Sequence, residues 1–254
     1  KRDSKPAPRP STGAKRSPAM EQFFRAKQEY PDAILFFRLG DFYEMFYEDA
    51  VHASSLLDLT LTSRGNDAEG VAIPMCGVPY HAAAGYVARL LDHGQRVAIC
   101  EQLEDPSKVK GIVPREVVRV ITPALALDSD AVDARRPNYL AAVVQREREF
   151  GFALLELGAA EVRAAQFDSE FELLAELART EPREILLLAE EPALPRSLGR
   201  LVPRAALRKV EAALLERAEK EPQIGALLES APELSASPSA AVRLALQYAL
   251  EAQP

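Results

Sequence analysis

Ala33-Ile34-Leu35-Phe36-Phe37-Arg38-Leu39-Gly40-Asp41-Phe42-Tyr43-Glu44-Met45-Phe46 is the stretch whose reading decides the fold. Ala33 to Leu39 is rich in β-formers and nearly continuous in apolar character, as a buried strand is, and Gly40-Asp41 then bends or bulges the chain. Phe42 to Phe46 admits two readings. In a helix, Phe42 and Glu44 lie about 200° apart and cannot serve one target; extended, they share a face while Tyr43 and Met45 point to the other. The extended reading is preferred. It sets an aromatic ring and an acid side by side on one surface.

Working outward, Ser17-Pro18 starts a helix that carries Met20, Phe23, Phe24 and Lys27 at helical spacing to Tyr30-Pro31. After the quoted stretch a helix begins near Glu48 and Asp49, acids that suit a first turn, and buries Ala50, Ala53, Leu56 and Leu57. Leu59 to Thr62 and Val71 to Met75 read as short strands around an exposed loop, Arg64 to Gly70. Ile73-Pro74-Met75-Cys76-Gly77-Val78-Pro79-Tyr80-His81 reads as a rigid turn before a helix over Ala82 to Asp92, and Arg96 to Glu101 and Glu116 to Ile121 are two further strands. From Thr122-Pro123 to Arg136-Pro137 periodicity is lost and Asp and Pro gather, as in a linker. Beyond it Tyr139 to Val144, Phe150 to Leu157 and Glu161 to Phe167 form a meander. A helix with a Phe171, Leu174, Ala175, Ala178 stripe follows, stopped by Pro182, and then a strand over Glu184 to Leu188. Beyond Pro203 the chain is rich in Ala, Leu, Glu and Arg, and a last helix from Pro238 presents Val242, Leu246 and Leu250. The reading is a basic disordered tail over residues 1–16, an α+β domain with a mixed sheet over 17–123 and a linker over 124–136. An α/β domain over 137–254 completes it and ends on the start of a further helical region.

Composition narrows the function. The 254 residues carry a net charge of −7, 48% apolar residues, two Cys and no Trp. No run of about 18 uncharged apolar residues occurs, so no membrane span is expected, and Lys1-Arg2-Asp3 opens no secretory signal. Two thiols suit a reducing cytoplasm, and Cys76 and Cys100 are expected to be small core residues. No phosphate-binding glycine loop, dinucleotide turn or His-Glu-x-x-His occurs, which leaves nucleotide hydrolysis and metalloprotease chemistry without a home here. Phe42 beside Glu44 on an outward face would leave an aromatic ring in water; the alternative has Phe42 buried and Glu44 solvated. Lys108, Lys110, Arg115 and Arg119 concentrate positive charge as a phosphate-facing edge or as an exposed basic loop.

Four blocks in order then carry a resemblance. They are Gly40-Asp41-Phe42-Tyr43-Glu44, Leu57-Asp58-Leu59-Thr60-Leu61-Thr62, Ile73 to His81, and Val97-Ala98-Ile99-Cys100-Glu101-Gln102 followed by Asp105-Pro106 and Val117 to Pro123. Together they resemble the amino-terminal module of the MutS family of bacterial DNA mismatch-repair proteins. The resemblance implies a mismatch-recognition domain in which Phe42 matches the aromatic wedge of the family's Phe-x-Glu motif and Glu44 its acid. Such a wedge stacks on a mispaired or unpaired base in the minor groove, and selectivity comes from how cheaply a defective step unstacks and bends. Because an ionised carboxylate near phosphates is disfavoured, Glu44 is expected to be protonated in the complex and to donate to the base. Arg64, Met75, Lys108, Lys110, Arg115 and Arg119 are the candidate backbone and groove contacts.

The second half is similar to the family's connector domain, an RNase H-like α/β fold, through order and pattern. It departs from the family at Glu156-Leu157-Gly158-Ala159-Ala160-Glu161, where many members carry an Asp-x-Ser-Thr-Gly-type turn. Tyr139 to Val144 holds no acid, whereas an RNase H-type nuclease needs carboxylates there for metal ions, so the connector is read as non-catalytic. The resemblance implies binding of duplex DNA with mismatches or small loops, a MutL-like partner on the connector, and a cytoplasmic, nucleoid-associated homodimer. The resemblance further implies that ATP and Mg are bound by an ATPase domain outside this chain, and no cofactor or metal is expected within it. The alternatives are a scaffold that does not bind DNA and a metal-dependent nuclease on the second half.

Overall fold

The computed structural model describes residues 17–67, 70–104, 111–126, 138–189 and 198–252. The chain divides into two compact units, Lys1–Val120 and Ile121–Pro254.

In the first unit Ser17 caps α1 (Pro18–Glu29), its hydroxyl accepting the Met20 N–H at 3.4 Å, and Pro18 stands where a helix needs no donor. β1 (Ala33–Leu39) and β2 (Phe42–Phe46) pair antiparallel across Gly40, whose φ of +60° suits a residue without a Cβ. Then come α2 (Tyr47–Leu57), β3 (Thr62–Asn66), β4 (Ala72–Pro79), one 3₁₀ turn, α3 (Ala83–Asp92), β5 (Arg96–Gln102) and β6 (Arg115–Ile121). The six strands form a mixed sheet in the order β3-β4-β2-β1-β5-β6, with β1 parallel to β5. Phe37, Glu44 and Gly77 stand in one cross-strand row, on the face shared by Phe42 and Phe46. α1 covers part of that face, the Phe23 ring meeting Phe37 at 5.7 Å and Phe46 at 5.2 Å, both edge-on. On the other face the Cys76 thiol donates to the Ala50 carbonyl of α2 at 3.4 Å. Asp49 is buried; it accepts the Leu35 N–H at 3.0 Å and the Lys27 ammonium at 2.8 Å, which is how a buried carboxylate is tolerated.

Two expectations are corrected here. The strand expected over Leu59 to Thr62 begins only at Thr62, because Asp58 turns left-handed at φ 56° and the Leu59 N–H reaches back to the Ser54 carbonyl. Arg64 therefore lies in a strand, not in a loop. Ile73 to His81, expected as a rigid turn, is strand through Pro79. Pro74 sits beside an irregularity in β3 and Pro79 ends the strand, positions where a missing N–H is tolerated.

The second unit contains β7 (Tyr139–Arg146), β8 (Glu149–Glu156), β9 (Glu161–Phe167), α4 (Glu170–Thr180), β10 (Glu184–Leu188), α5 (Leu198–Leu201), β11 (Ala206–Val210), α6 (Ala212–Glu219), α7 (Pro222–Glu229) and α8 (Ala236–Glu251). Its sheet runs β11-β10-β7-β8-β9, a three-strand antiparallel meander extended by β10, parallel to β7, and by β11, parallel to β10. One face packs Ala141, Val143, Phe152, Leu154 and Ile185 against Leu173 and Leu177 of α4. The other lies under α8, which packs on β7, β8 and β9 so closely that a Cβ on Gly151 would stand 1.9 Å from the Ser237 carbonyl oxygen. Glu184 is fully buried and accepts the Tyr248 hydroxyl at 2.7 Å, Arg208 Nε at 3.1 Å and the Ala124 N–H at 3.4 Å.

Three readings change in this unit. α4 buries Leu173 and Leu177, not the expected stripe, and Phe171 is 81% exposed, since two residues turn a helix by about 200°. β11 was not expected from sequence: it is an edge strand with only alternate residues half-buried. In α8 the covered residues include Ala241, Val242, Leu244, Ala245 and Tyr248, whereas Leu250 of the expected stripe is exposed. Ala124, Leu125 and Ala126, at the start of the segment read as a linker, are buried, and its remainder to Pro137 lies outside the described residues, as does the 1–16 tail.

Candidate nucleic-acid interface

Phe42 opens β2 between Leu39 of β1 and Pro79 of β4. Phe36, Phe37 and Phe46 are buried to within about 1% of their surface, but Phe42 is 47% exposed. The turn that presents it is held by one contact from within the hairpin and one from outside it. The Tyr80 N–H donates to the Asp41 carbonyl at 3.0 Å, and Arg38 Nε donates to the Gly40 carbonyl. The Arg38 guanidinium stacks 3.8 Å from the centre of the Tyr80 ring and 5.5 Å from that of Tyr43, contacts that fix a planar cation. The Tyr43 hydroxyl donates to Glu101, and burial first, with that carboxylate second, pushes the phenol up to about 12.

Glu44 follows on the same face. It is largely buried, and both its carboxylate oxygens accept from Arg64 Nη1. The alternative of a buried Phe42 and a solvated Glu44 is thereby reversed: the ring is the exposed member and the acid the covered one. Between Glu44 and Arg64 lies β4, and the residue facing Glu44 there is Gly77. Met75, two residues on and also half-buried, faces Phe46 and Thr62.

The remaining basic candidates are not gathered there. Arg115 and Arg119 stand four residues apart on β6, at the sheet edge opposite β3. Arg115 Nε donates to the Arg38 carbonyl at 2.7 Å and Nη1 to the Val113 carbonyl at 2.8 Å, with the guanidinium 5.4 Å from the centre of the Phe37 ring. Burial lowers its pKa, and its donors serve the fold. Lys108 and Lys110 lie outside the described residues. Cys76 and Cys100 are buried and unbridged, and burial is the main cause that pushes their thiols up to about 11 and about 12. Among the described residues no group of three or more His, Cys, Asp or Glu is placed to hold a metal ion, and no helix is long and apolar enough to cross a membrane. Gly77 and the Arg38–Tyr80 stack were missed in the sequence. A glycine inside a strand signals close approach, and Gly77 carried that signal; the stack joins residues too far apart to be seen by spacing.

An aromatic held out of a mixed sheet beside a covered carboxylate, ahead of a second sheet with helices on both faces, defines a two-domain mixed α/β module. Residues 17–130 match MutS domain I and residues 138–253 match MutS domain II. The DNA mismatch repair protein MutS of Sorangium cellulosum is 45% identical over 269 residues, covering 98% of this chain, and that of Syntrophobacter fumaroxidans is 55% identical over 173 residues, covering 67%. That of Myxococcus xanthus is 48% identical over 203 residues, covering 79%. The chain belongs to the MutS family of DNA mismatch-repair proteins. It spans 28%, 19% and 22% of the length of these three relatives, respectively.

Proposed function

We propose that this chain senses mispaired or unpaired bases in duplex DNA, with Phe42 as the inserted wedge and Glu44 as the neighbouring polar contact. The observation that carries the reading is the exposure of Phe42 alone among the phenylalanines of β1 and β2, at a turn braced by Arg38 and Tyr80. A ring kept in water at a cost of roughly 1 kcal/mol or more has to recover that elsewhere, and stacking on a loosened base does so. Arg64 bonds the Glu44 carboxylate next to the wedge, and Met75 lies farther along β4, facing Phe46. The second unit is the connector, and its strand order, a meander followed by two parallel strands, supports an RNase H-like fold. Its work is to relay state to an ATPase domain of a longer, dimeric protein, where ATP and Mg would act, and to offer a surface to a MutL-like partner. No catalytic step is assigned to these residues.

The test compares binding of the chain, at low salt, to a duplex with one unpaired thymine and to its matched counterpart. Wild type is expected to prefer the defective duplex and Phe42→Ala to lose that preference. Equal binding of both duplexes by wild type would replace this reading with that of an interaction scaffold.

A further inference from the structure

We propose that Arg64 is the positioning residue for Glu44: it holds and neutralises that carboxylate in the free protein, so that the charge of residue 44 acts on DNA binding through Arg64. The proposal rests on the reading that Phe42 and Glu44 face the duplex.

Three features of the sheet make the pair a built contact. Glu44 and Arg64 stand on β2 and β3 with β4 between them, and they are staggered along the sheet, Glu44 facing Gly77 while β3 pairs Thr62 with Met75 and Ser63 with Pro74, so that only a long side chain can reach across. Residue 77, which faces Glu44, is glycine, and a Cβ there would sit 3.5 Å from Glu44 Cγ and 3.3 Å from the Tyr43 carbonyl oxygen, so the glycine leaves the Glu44 side chain uncrowded on that side. The pairing of β3 with β4 shifts between Ser63 and Asn66, and Gly65 takes a φ of +69°, the kind of irregularity that re-aims a side chain. The result is asymmetric. The Glu44 side chain is 11% exposed and covered, while that of Arg64 is 53% exposed and accessible to an incoming anion.

That asymmetry gives the pair a function. An uncovered carboxylate beside Phe42 would repel every duplex, matched or not. Paired with Arg64 it presents no net charge, and the guanidinium is a donor that a phosphate can compete for. Arg64 can then exchange Glu44 for a phosphate oxygen, which frees the carboxyl group to meet a base. Only a step that admits Phe42 brings a base within its reach, so a matched duplex opens the pair without return.

The test is a double-mutant cycle of wild type, Arg64→Met, Glu44→Gln and the double variant, with both duplexes at low salt. Chemical-shift titration of the chain follows binding even at millimolar Kd. Arg64→Met is expected to weaken binding about tenfold when Glu44 is present and no more than about twofold when residue 44 is Gln, within the range of couplings between contacting residues. The same factor in both backgrounds would make Arg64 an independent phosphate contact and overturn the proposal. Without DNA, the Arg64 Nε–H resonance should move on Glu44→Gln; an unmoved resonance would show that the pair does not persist in solution, and would also overturn it. Phe42→Ala separates the two ideas. Loss of mismatch preference in Phe42→Ala with an additive cycle removes the role of Arg64 and keeps the wedge. Preference retained in Phe42→Ala removes the wedge reading itself.

Discussion

At Gly151 a side chain has nowhere to go, since its Cβ would meet backbone, the Ser237 carbonyl, rather than the movable end of a side chain. Gly151→Ala should therefore destabilise the second unit by about 3 kcal/mol, the upper end for overpacking, read as a lowered midpoint in urea. Phe42→Ala, in the first unit, should destabilise that unit by no more than about 1 kcal/mol, because the ring it removes is already half in water. At this scale the sequence was legible where periodicity alone decides. A period of two placed Phe42 and Glu44 on one face and Tyr43 and Met45 on the other. It could not tell Arg64 from Arg115, which look alike in one dimension. Their partners, Glu44 and the Arg38 carbonyl, lie 20 and 77 residues away, and only the sheet order brings them near.

Strands legible from composition were those buried on both faces, such as β1, β7 and β8. β11 escaped because Ala206-Leu207-Arg208-Lys209-Val210 lies at an edge, where every second residue is exposed and the rest are only half-buried, so no apolar run is needed. α4 was legible as a helix but not in its facing, because Phe171 is as apolar as Leu173 and only the sheet beneath chooses between them. Three central strands of the first unit share an alkaline liability: Tyr43 on β2, Cys76 on β4 and Cys100 on β5. Burial keeps their protons on up to about pH 12, 11 and 12 in the folded chain, against ordinary values of 10 for the phenol and 9 for the thiols. The folded state holds more protons there, so this stability is complete below about pH 9 and is lost as the pH rises through 11 to 12. Thermal melting should fall across that window, and Tyr43→Phe should flatten its upper part, from pH 10 on.

For the molecule as a whole, charge argues against tight binding. Residues 17–123 hold ten basic and fifteen acidic groups, Arg64 reaches a phosphate only by giving up Glu44, and Arg115 is held by backbone carbonyls. Few phosphates can be neutralised, so the slope of log K against log salt should be shallow, about −2 for two contacts, and the affinity weak. A slope near −6 or nanomolar binding, measured by fluorescence anisotropy across a salt series, would contradict this. The chain divides after Val120, close to where periodicity is lost at Thr122, while the match to MutS domain I runs on to residue 130. What was not visible is that the last helix belongs to the second sheet. α8 is the cover for the face formed by Leu140, Ala142, Val144, Ala153 and Leu155, yet it is made last. While the chain is being synthesised, that face waits from the completion of β9 at Phe167 until Glu251 emerges, about 4 to 17 seconds at ribosomal speeds of roughly 5–20 residues per second. For that interval the nascent second domain carries an uncovered apolar face open to non-native association, and any stop codon before Ala236 would make the exposure permanent.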